Sequence, residues 1–333
     1  MSENKPFVLV TAPIPEAGIK ILQEKVDLQI LESPYNRRLE DYPDALEKAD
    51  GLLCLLSDPI TRELMDQMPR LKVISNYAVG YNNVDVAAAT ERGIAVTNTP
   101  GVLTDATADL AWALLLAAAR RIVEGDRMVR NGEFLGWGPL LLRGYDLKGR
   151  TLGIAGAGRI GTAMALRSVG WEMPVVYYSR RPNEVLEKKL RARRVSKEEL
   201  IKESDILSLH LPLTPETHHF IAGKEFSEMK PGAILINTAR GPVIDENALV
   251  RALKNGPLAA AGLDVFEEEP KVHPELLTLK NVVLAPHIGS ATYQTRDAMA
   301  RIAAENLLAE LQGRQAEFTV NREVYEIKRR PKN

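Results

Sequence analysis

Three stretches of the 333-residue chain carry groups capable of proton and anion chemistry directly after apolar runs. Ile234-Leu235-Ile236-Asn237-Thr238-Ala239-Arg240-Gly241 puts Arg240 just past a strand pattern. Ala261-Gly262-Leu263-Asp264-Val265-Phe266-Glu267-Glu268-Glu269-Pro270 puts an acidic loop past the next. Val282-Val283-Leu284-Ala285-Pro286-His287-Ile288-Gly289 puts a histidine past a third, which reads as a buried strand aiming His287. A proton donor, a carboxylate that orients it and a guanidinium that clamps the substrate make a working set when strand ends bring them together. Spacing leaves the choice among Glu267, Glu268 and Glu269 open. Of the other histidines, His218 and His219 read as part of a solvated polar loop, and His273, among Glu, Lys and Pro, reads as exposed. His210 ends the pattern 205–209 and reads equally as lining a cofactor cleft or as structural.

A second kind of chemistry sits at Gly156-Ala157-Gly158-Arg159-Ile160-Gly161, directly after the strand pattern 151–155 and opening an apolar helical pattern. In that context the glycines form a dinucleotide fingerprint: a tight turn, close approach of backbone to pyrophosphate, and a helix N-terminus facing the anion. An NAD site usually carries an acid at the end of the next strand. Here the pattern 175–178 runs into Ser179-Arg180-Arg181, and no acid lies between Glu172 and Glu184. Two guanidiniums and a hydroxyl suit a 2′-phosphate, with a solvated basic loop as the bland alternative. NADP(H) is therefore the expected cofactor, with NAD(H) second.

The elements that must position these groups alternate along the chain. Strand patterns at 7–11, 28–31, 51–56, 71–75 and 94–97 enclose helical patterns at 15–25, 62–67 and 86–92. The same grammar restarts with strand patterns at 151–155, 175–178, 205–209, 233–237, 260–263 and 282–284. The expected fold class is α/β: two doubly wound, Rossmann-like domains with the active-site cleft between them. One long helical pattern covers 104–122, with Thr104 as its N-cap; a loop rich in glycine and aromatics follows at 131–146; the pattern 292–311 is helical and ends at Gly313.

Composition narrows the function classes. The chain is 45% hydrophobic and 26% charged, which excludes disordered, collagen-like and coiled-coil readings. Lys+Arg total 43 against 44 Asp+Glu, no footprint for a nucleic acid. The single cysteine, Cys54, allows neither an internal disulfide nor a cysteine-built zinc cluster, so no metal is expected. The longest apolar run, 110–119, is too short for a bilayer, and the first residues lack a signal-peptide h-region. A soluble, cytoplasmic protein is the expectation.

Over essentially its whole length the sequence resembles the D-isomer-specific 2-hydroxyacid dehydrogenases. Five stretches carry the resemblance in family order: Asn76-Tyr77-Ala78-Val79-Gly80-Tyr81-Asn82-Asn83-Val84-Asp85, the glycine fingerprint, and 237–241, 262–270 and 285–292. It is strongest to the glyoxylate/hydroxypyruvate reductases, archaeal ones especially. The resemblance implies a catalytic trio of Arg240, Glu269 and His287, with His287 the proton donor in the reductive direction. It selects Glu269 as the fifth residue after Asp264. It implies that Val79 and Gly80 offer N–H groups to the substrate carboxylate. The cofactor set it implies adds Thr107, His210, Leu211, Pro212, Thr217, Thr238, Ala239, Arg240, Asp264, His287, Ile288 and Gly289 to the fingerprint and to Ser179, Arg180 and Arg181. Its domain plan is a dinucleotide-binding domain at 100–288 and a substrate-binding domain at 1–99 and 289–333. The arginine near Asn76 of phosphoglycerate dehydrogenases, the lysine at Val79 of phosphite dehydrogenases and the glutamine at Glu269 of formate dehydrogenases are absent here.

The expected reaction is thus NAD(P)H-dependent reduction of glyoxylate, and of hydroxypyruvate, to glycolate and D-glycerate. The rivals are a broader D-2-hydroxyacid dehydrogenase acting on pyruvate or larger 2-oxo acids, and a dinucleotide-sensing scaffold like the C-terminal-binding corepressors. A homodimer is expected, because Phe134, Trp137, Leu140, Leu141 and Leu142 crowd one loop and the pattern 106–121 is apolar on more than one face. In the resembling reductases a tryptophan matching Trp137 reaches the neighbouring subunit's substrate pocket; a core role for Trp137 is the alternative.

Overall fold

The computed structural model describes residues 5–35 and 37–329, and its chain forms two compact units. One holds the described residues up to Leu103 and from Ala291 onward; the other is Thr104–Ser290. Each is built around a sheet whose strand pairs are all parallel.

In the first unit the strands are β1 (Phe7–Val10), β2 (Asp27–Ile30), β3 (Gly51–Cys54), β4 (Val73–Asn76) and β5 (Ala95–Thr97), in the order β2-β1-β3-β4-β5. Successive side chains of β1 go to opposite faces. Val8 and Val10 pack with Leu53, Val73, Met299, Ala303 and Leu307, whereas Leu9 packs with Leu52, Ile74, Leu64 and Met65. Burial on both faces is why β1 and β3 read as short unbroken apolar runs, whereas the edge strand β2 does not. The last long helix, Tyr293–Leu311, returns to this sheet, capped by the Thr292 side chain, which accepts the Thr295 N–H.

In the second unit the strands are β6 (Leu152–Ala155), β7 (Val175–Tyr178), β8 (Arg193–Arg194), β9 (Ile206–Leu209), β10 (Ala233–Asn237), β11 (Leu258–Leu263) and β12 (Val282–Leu284). Their order, β12-β11-β10-β9-β6-β7-β8, reverses at β6. Crossovers run one way to β7 and the other way to β9, so a crevice opens beyond the carboxyl ends of β6 and β9, where doubly wound folds bind ligands. The sequence shows no sign of β8, which has two residues, both charged and exposed.

The pattern 104–122 is not one helix. Thr104–Ala119 ends, Arg121 takes the left-handed conformation (φ 53°), and a second helix runs Ile122–Arg130. The returning loop causes the break: the Tyr145 N–H donates to the Ala119 carbonyl, and a Cβ on Gly144 would lie 2.1 Å from that oxygen. The breadth of apolar surface on Thr104–Ala119 is used within its own unit, where Ala108, Ala111, Trp112, Leu114, Leu115 and Ala118 are buried. This corrects the expectation that the helix needs a partner chain. The loop beyond it is different. Leu135 is 99% exposed, Trp137 86% and Leu140 73%, so Trp137 has no core role within the chain. No helix among the described residues is long and apolar enough to cross a membrane.

Candidate active site

The glycine turn after β6 tests whether a dinucleotide fits. Gly156 has φ +97°, and a Cβ there would meet the His210 carbonyl oxygen at 2.7 Å. A Cβ on Gly161 would meet the Gly156 oxygen at 2.1 Å, whereas one on Gly158 would meet nothing within 4 Å. The first and third glycines are thus demanded by packing, and the second leaves open space at the start of the helix Arg159–Leu166. No side chain caps that helix at Gly158, so its leading N–H groups are available to an anion. At the ends of the adjacent strands β9 and β10, His210 Nδ1 and Thr238 Oγ1 are buried without a hydrogen-bond partner among the described residues. Burial pushes the His210 imidazole down to about 4, and its Nε2 lies 2.9 Å from Ser208 Oγ. An open anion cradle beside polar atoms that lack partners fits a dinucleotide.

The loop after β7 is held from three sides. Arg194 donates from Nε to the Ser179 carbonyl (3.0 Å) and from Nη2 to the Arg180 carbonyl (2.9 Å). Asn183 donates from Nδ2 to the Ala157 carbonyl (3.0 Å) and to Thr162 Oγ1 (2.7 Å), while its N–H donates to the Tyr177 hydroxyl (2.8 Å). Arg180 and Arg181 are exposed, and their loop is tied directly to the glycine turn.

The remaining polar groups converge beyond β10, β11 and β12. Asn237 shapes the turn that carries Arg240: its Oδ1 accepts the Ala239 N–H (3.0 Å) and its Nδ2 donates to the Arg240 carbonyl (2.9 Å). Gly241 has no room for a side chain, since a Cβ would stand 1.8 Å from the Phe266 oxygen. The Arg240 turn therefore lies against the acidic loop. In that loop Glu269 Oε1 accepts the Phe266 N–H (3.0 Å) and Oε2 lies 2.8 Å from His287 Nδ1. Glu267 faces His219 and Glu246 instead, and Glu268 pairs with Lys271 through the backbone, in an antiparallel β-bridge. Of the three acids, only Glu269 meets the histidine.

Electrostatics follow the geometry. Burial pushes the Glu269 carboxyl up, but the hydrogen bond and charge of His287, the Phe266 N–H and the charge of Arg240 together hold it below its ordinary value. Burial pulls the Arg240 guanidinium down against the opposing charge of Glu269. With Nδ1 turned to Glu269, the Nε2 atom of His287 is the one available for proton transfer.

His287 is not aimed as its sequence pattern implies. β12 is a half-buried edge strand, and His287 itself has φ +54°, a strained conformation for a side-chain-bearing residue. Asp264 holds it there. The His287 N–H donates to the Asp264 carbonyl (2.9 Å), and the two carboxylate oxygens accept the N–H groups of Ile288 (2.7 Å) and Gly289 (2.8 Å). Asp264, expected among the cofactor contacts, thus braces the histidine turn. Thr107 adds a hydroxyl bond to the Gly289 carbonyl at 3.2 Å. Leu211 packs under Gly156, and Thr217 donates its hydroxyl to the Pro212 carbonyl.

In the first unit, Val79 and Gly80 follow β4. The Thr99 N–H donates to the Ala78 carbonyl (2.8 Å), and Asn98 Nδ2 donates to the Val79 carbonyl (2.7 Å). Because each peptide is planar and trans, the Val79 and Gly80 N–H groups point away from these two bonded carbonyls. Asn76 Nδ2 fixes the turn through the Gly80 carbonyl (2.9 Å).

Residues 112–289 match the family described as D-isomer specific 2-hydroxyacid dehydrogenase, NAD binding domain. A glyoxylate reductase of Thermococcus litoralis is 53% identical over 324 residues, 96% of this chain and 98% of that one. The chain belongs to the D-isomer-specific 2-hydroxyacid dehydrogenase family. Its structure is similar to that of a Thermus thermophilus protein (TM-score 0.88, 47% identity, 94% of this chain and 99% of that one). It is also similar to an NADPH-dependent glyoxylate/hydroxypyruvate reductase of Sinorhizobium meliloti solved with NADP and malonate (TM-score 0.84, 35% identity, 95% of this chain and 97% of that one).

Three residues of this family member escaped sequence reading: Asn183, Arg194 and Asn237. Each acts through contacts to backbone carbonyls or N–H groups, and an isolated Asn or Arg carries no periodic signal. Only Asn237 offered one, as the polar end of an apolar strand. The solvated-loop reading also fails for His219, which is half-buried with Nε2 2.6 Å from Glu267 Oε1.

Proposed function

We propose that this dehydrogenase reduces glyoxylate, and hydroxypyruvate beside it, with NADPH preferred over NADH. The observation that carries this reading is the 2.8 Å contact between His287 Nδ1 and Glu269 Oε2, beside a turn that presents Arg240. The unit Thr104–Ser290 takes the dinucleotide, through the glycine cradle and the loop of Ser179, Arg180 and Arg181. When bound, the nicotinamide supplies the hydride. The chain's own residues do the rest. Arg240 clamps the 2-oxo acid and polarises its carbonyl with a fixed fork of donors. His287 gives the Nε2 proton to the carbonyl oxygen, so that a hydroxyl forms and the imidazolium returns to neutral imidazole. Glu269 keeps the ring oriented through Nδ1. The paired N–H groups of Val79 and Gly80 suit the substrate carboxylate.

A steady-state panel of glyoxylate, hydroxypyruvate, pyruvate and phenylpyruvate, each with NADPH and NADH, tests the proposal. Glyoxylate and hydroxypyruvate should have the highest kcat/KM; a higher value for pyruvate or phenylpyruvate points to the broader dehydrogenase, and no turnover of any acid points to a scaffold. Replacing Arg180 and Arg181 by alanine should raise KM for NADPH about tenfold or more per arginine, because charged hydrogen bonds to a 2′-phosphate are lost. KM for NADH should change little; equal rises for both cofactors would refute the 2′-phosphate role.

The exposed apolar loop supports a homodimer. Phe134, Leu135, Trp137 and Leu140 form a patch that water tolerates poorly, and a homodimer covers it, with Trp137 capping the partner's substrate site. Trp137→Ala should shift kcat/KM toward phenylpyruvate relative to glyoxylate by about tenfold, the scale of a changed apolar pocket contact. Light scattering should still find a dimer. An unchanged substrate profile, or a monomeric parent protein, contradicts this role.

A further inference from the structure

Away from the proposed chemistry, His218, His219 and Glu267 each offer one ligand atom, and these atoms all lie within 4.8 Å of one another. From this cluster the structure assigns a binding site for a borderline transition-metal ion such as Zn²⁺, held by two imidazoles and one carboxylate.

The local backbone is arranged to make the cluster. The turn 214–217 leads into His219, whose φ of +49° is a conformation few side-chain-bearing residues adopt. Its N–H donates to the Pro242 carbonyl at 2.8 Å, which pins the turn to another loop of the same unit. The result is that two neighbouring imidazoles lie on the same side, stacked with ring centroids 4.0 Å apart. Glu267 is held independently of them: its Oε2 accepts the Glu246 N–H (3.2 Å), and its own N–H donates to Glu246 Oε1 (2.8 Å). That leaves Glu267 Oε1 facing His219 Nε2 at 2.6 Å. One carboxylate oxygen is thus fixed before any ion arrives.

The donor chemistry selects the ion. Imidazole nitrogens suit zinc, nickel, cobalt and copper, whereas calcium and magnesium demand oxygen ligands. Metal–ligand bonds of about 2.0–2.1 Å in tetrahedral geometry set donor atoms about 3.4 Å apart. The His219–Glu267 pair, at 2.6 Å, must open to reach that spacing, and exposed His218 can rotate to meet it. Binding replaces the His219 Nε2–Glu267 Oε1 hydrogen bond with bonds to the ion, and water completes the coordination. Cysteine counting excluded a metal because it looked only for thiolates; this site uses none. The ion would join the loop after β9 to the start of the Glu267–Glu269 loop, bracing both against thermal opening.

The test uses the full, untagged chain dialysed free of metal. Calorimetric titration with Zn²⁺ should give one ion per chain, and Co²⁺ should develop a visible d–d absorption band. Zn²⁺ should also raise Tm. His218→Ala removes an exposed ligand and leaves the fold intact; it should weaken Zn²⁺ binding at least about tenfold, the least that losing a direct ligand costs when outer partners alone are worth that much. Glu267→Gln should do the same. Binding of one ion that is unchanged in His218→Ala, or no stoichiometric binding by the parent chain, would overturn the assignment.

Discussion

His287→Ala lowers kcat for glyoxylate reduction by about 10²–10⁴-fold, the usual value of general acid catalysis, and leaves the dissociation constant of NADPH nearly unchanged. The separation follows from geometry. Nδ1 is committed to Glu269, so the proposed proton transfer falls to Nε2 and belongs to the transition state. Removing the ring costs little ground-state binding, and the loss falls on kcat. The backbone there is anchored by Asp264 through the N–H groups of Ile288 and Gly289, so truncating the side chain should spare the fold. Stopped-flow titration of NADPH with single-turnover rates for glyoxylate reads both quantities. Turnover within a few-fold of the parent protein would remove His287 from the role of proton donor.

The second large effect is expected from Arg240→Lys, although the charge is conserved. A planar guanidinium clamps a carboxylate and a carbonyl oxygen together, and an ammonium is a single point of charge on a flexible stem. Losing one oriented donor to a developing oxyanion costs about 10²–10³-fold in kcat. The turn adds a positional reason. Asn237 fixes the Arg240 backbone from both sides and Gly241 abuts the Phe266 carbonyl, so the backbone cannot shift to let a shorter reach succeed. A fall of less than tenfold in kcat/KM for glyoxylate would mean that charge alone suffices at this position.

Much of the fold was legible because its inner strands are buried on both faces. β10 and β12 were read to the residue, and the glycine turn announced itself by its spacing between a strand pattern and a helical one, where packing permits no Cβ at Gly156 or Gly161. The errors have a common cause. The helix break at Arg121 depends on Tyr145 and Gly144 returning to cap Ala119, a contact between residues far apart in the chain that local periodicity does not encode. β8 is two exposed arginines and has no hydrophobic signal, although it positions Arg194 beneath the Ser179–Arg180 carbonyls.

By itself, the sequence determined the class of chemistry: a dinucleotide turn after a buried strand, and an arginine, an acidic run and a histidine past three more. Residue type and strand period suffice for that, because parallel sheets put successive strand ends on one edge. Spacing left open which acid meets His287 and only the family resemblance pointed to Glu269; the contact itself, like the partnering of His219 with Glu267, is made in three dimensions. Three consecutive glutamates are equivalent in composition, but the chain direction after Phe266 sends Glu267 toward Glu246 and returns Glu269 to the Phe266 N–H, beside the imidazole. The reason is physical: a carboxylate's role is set by the donors within about 3 Å of its oxygens, and those donors come from distant segments that only folding brings together.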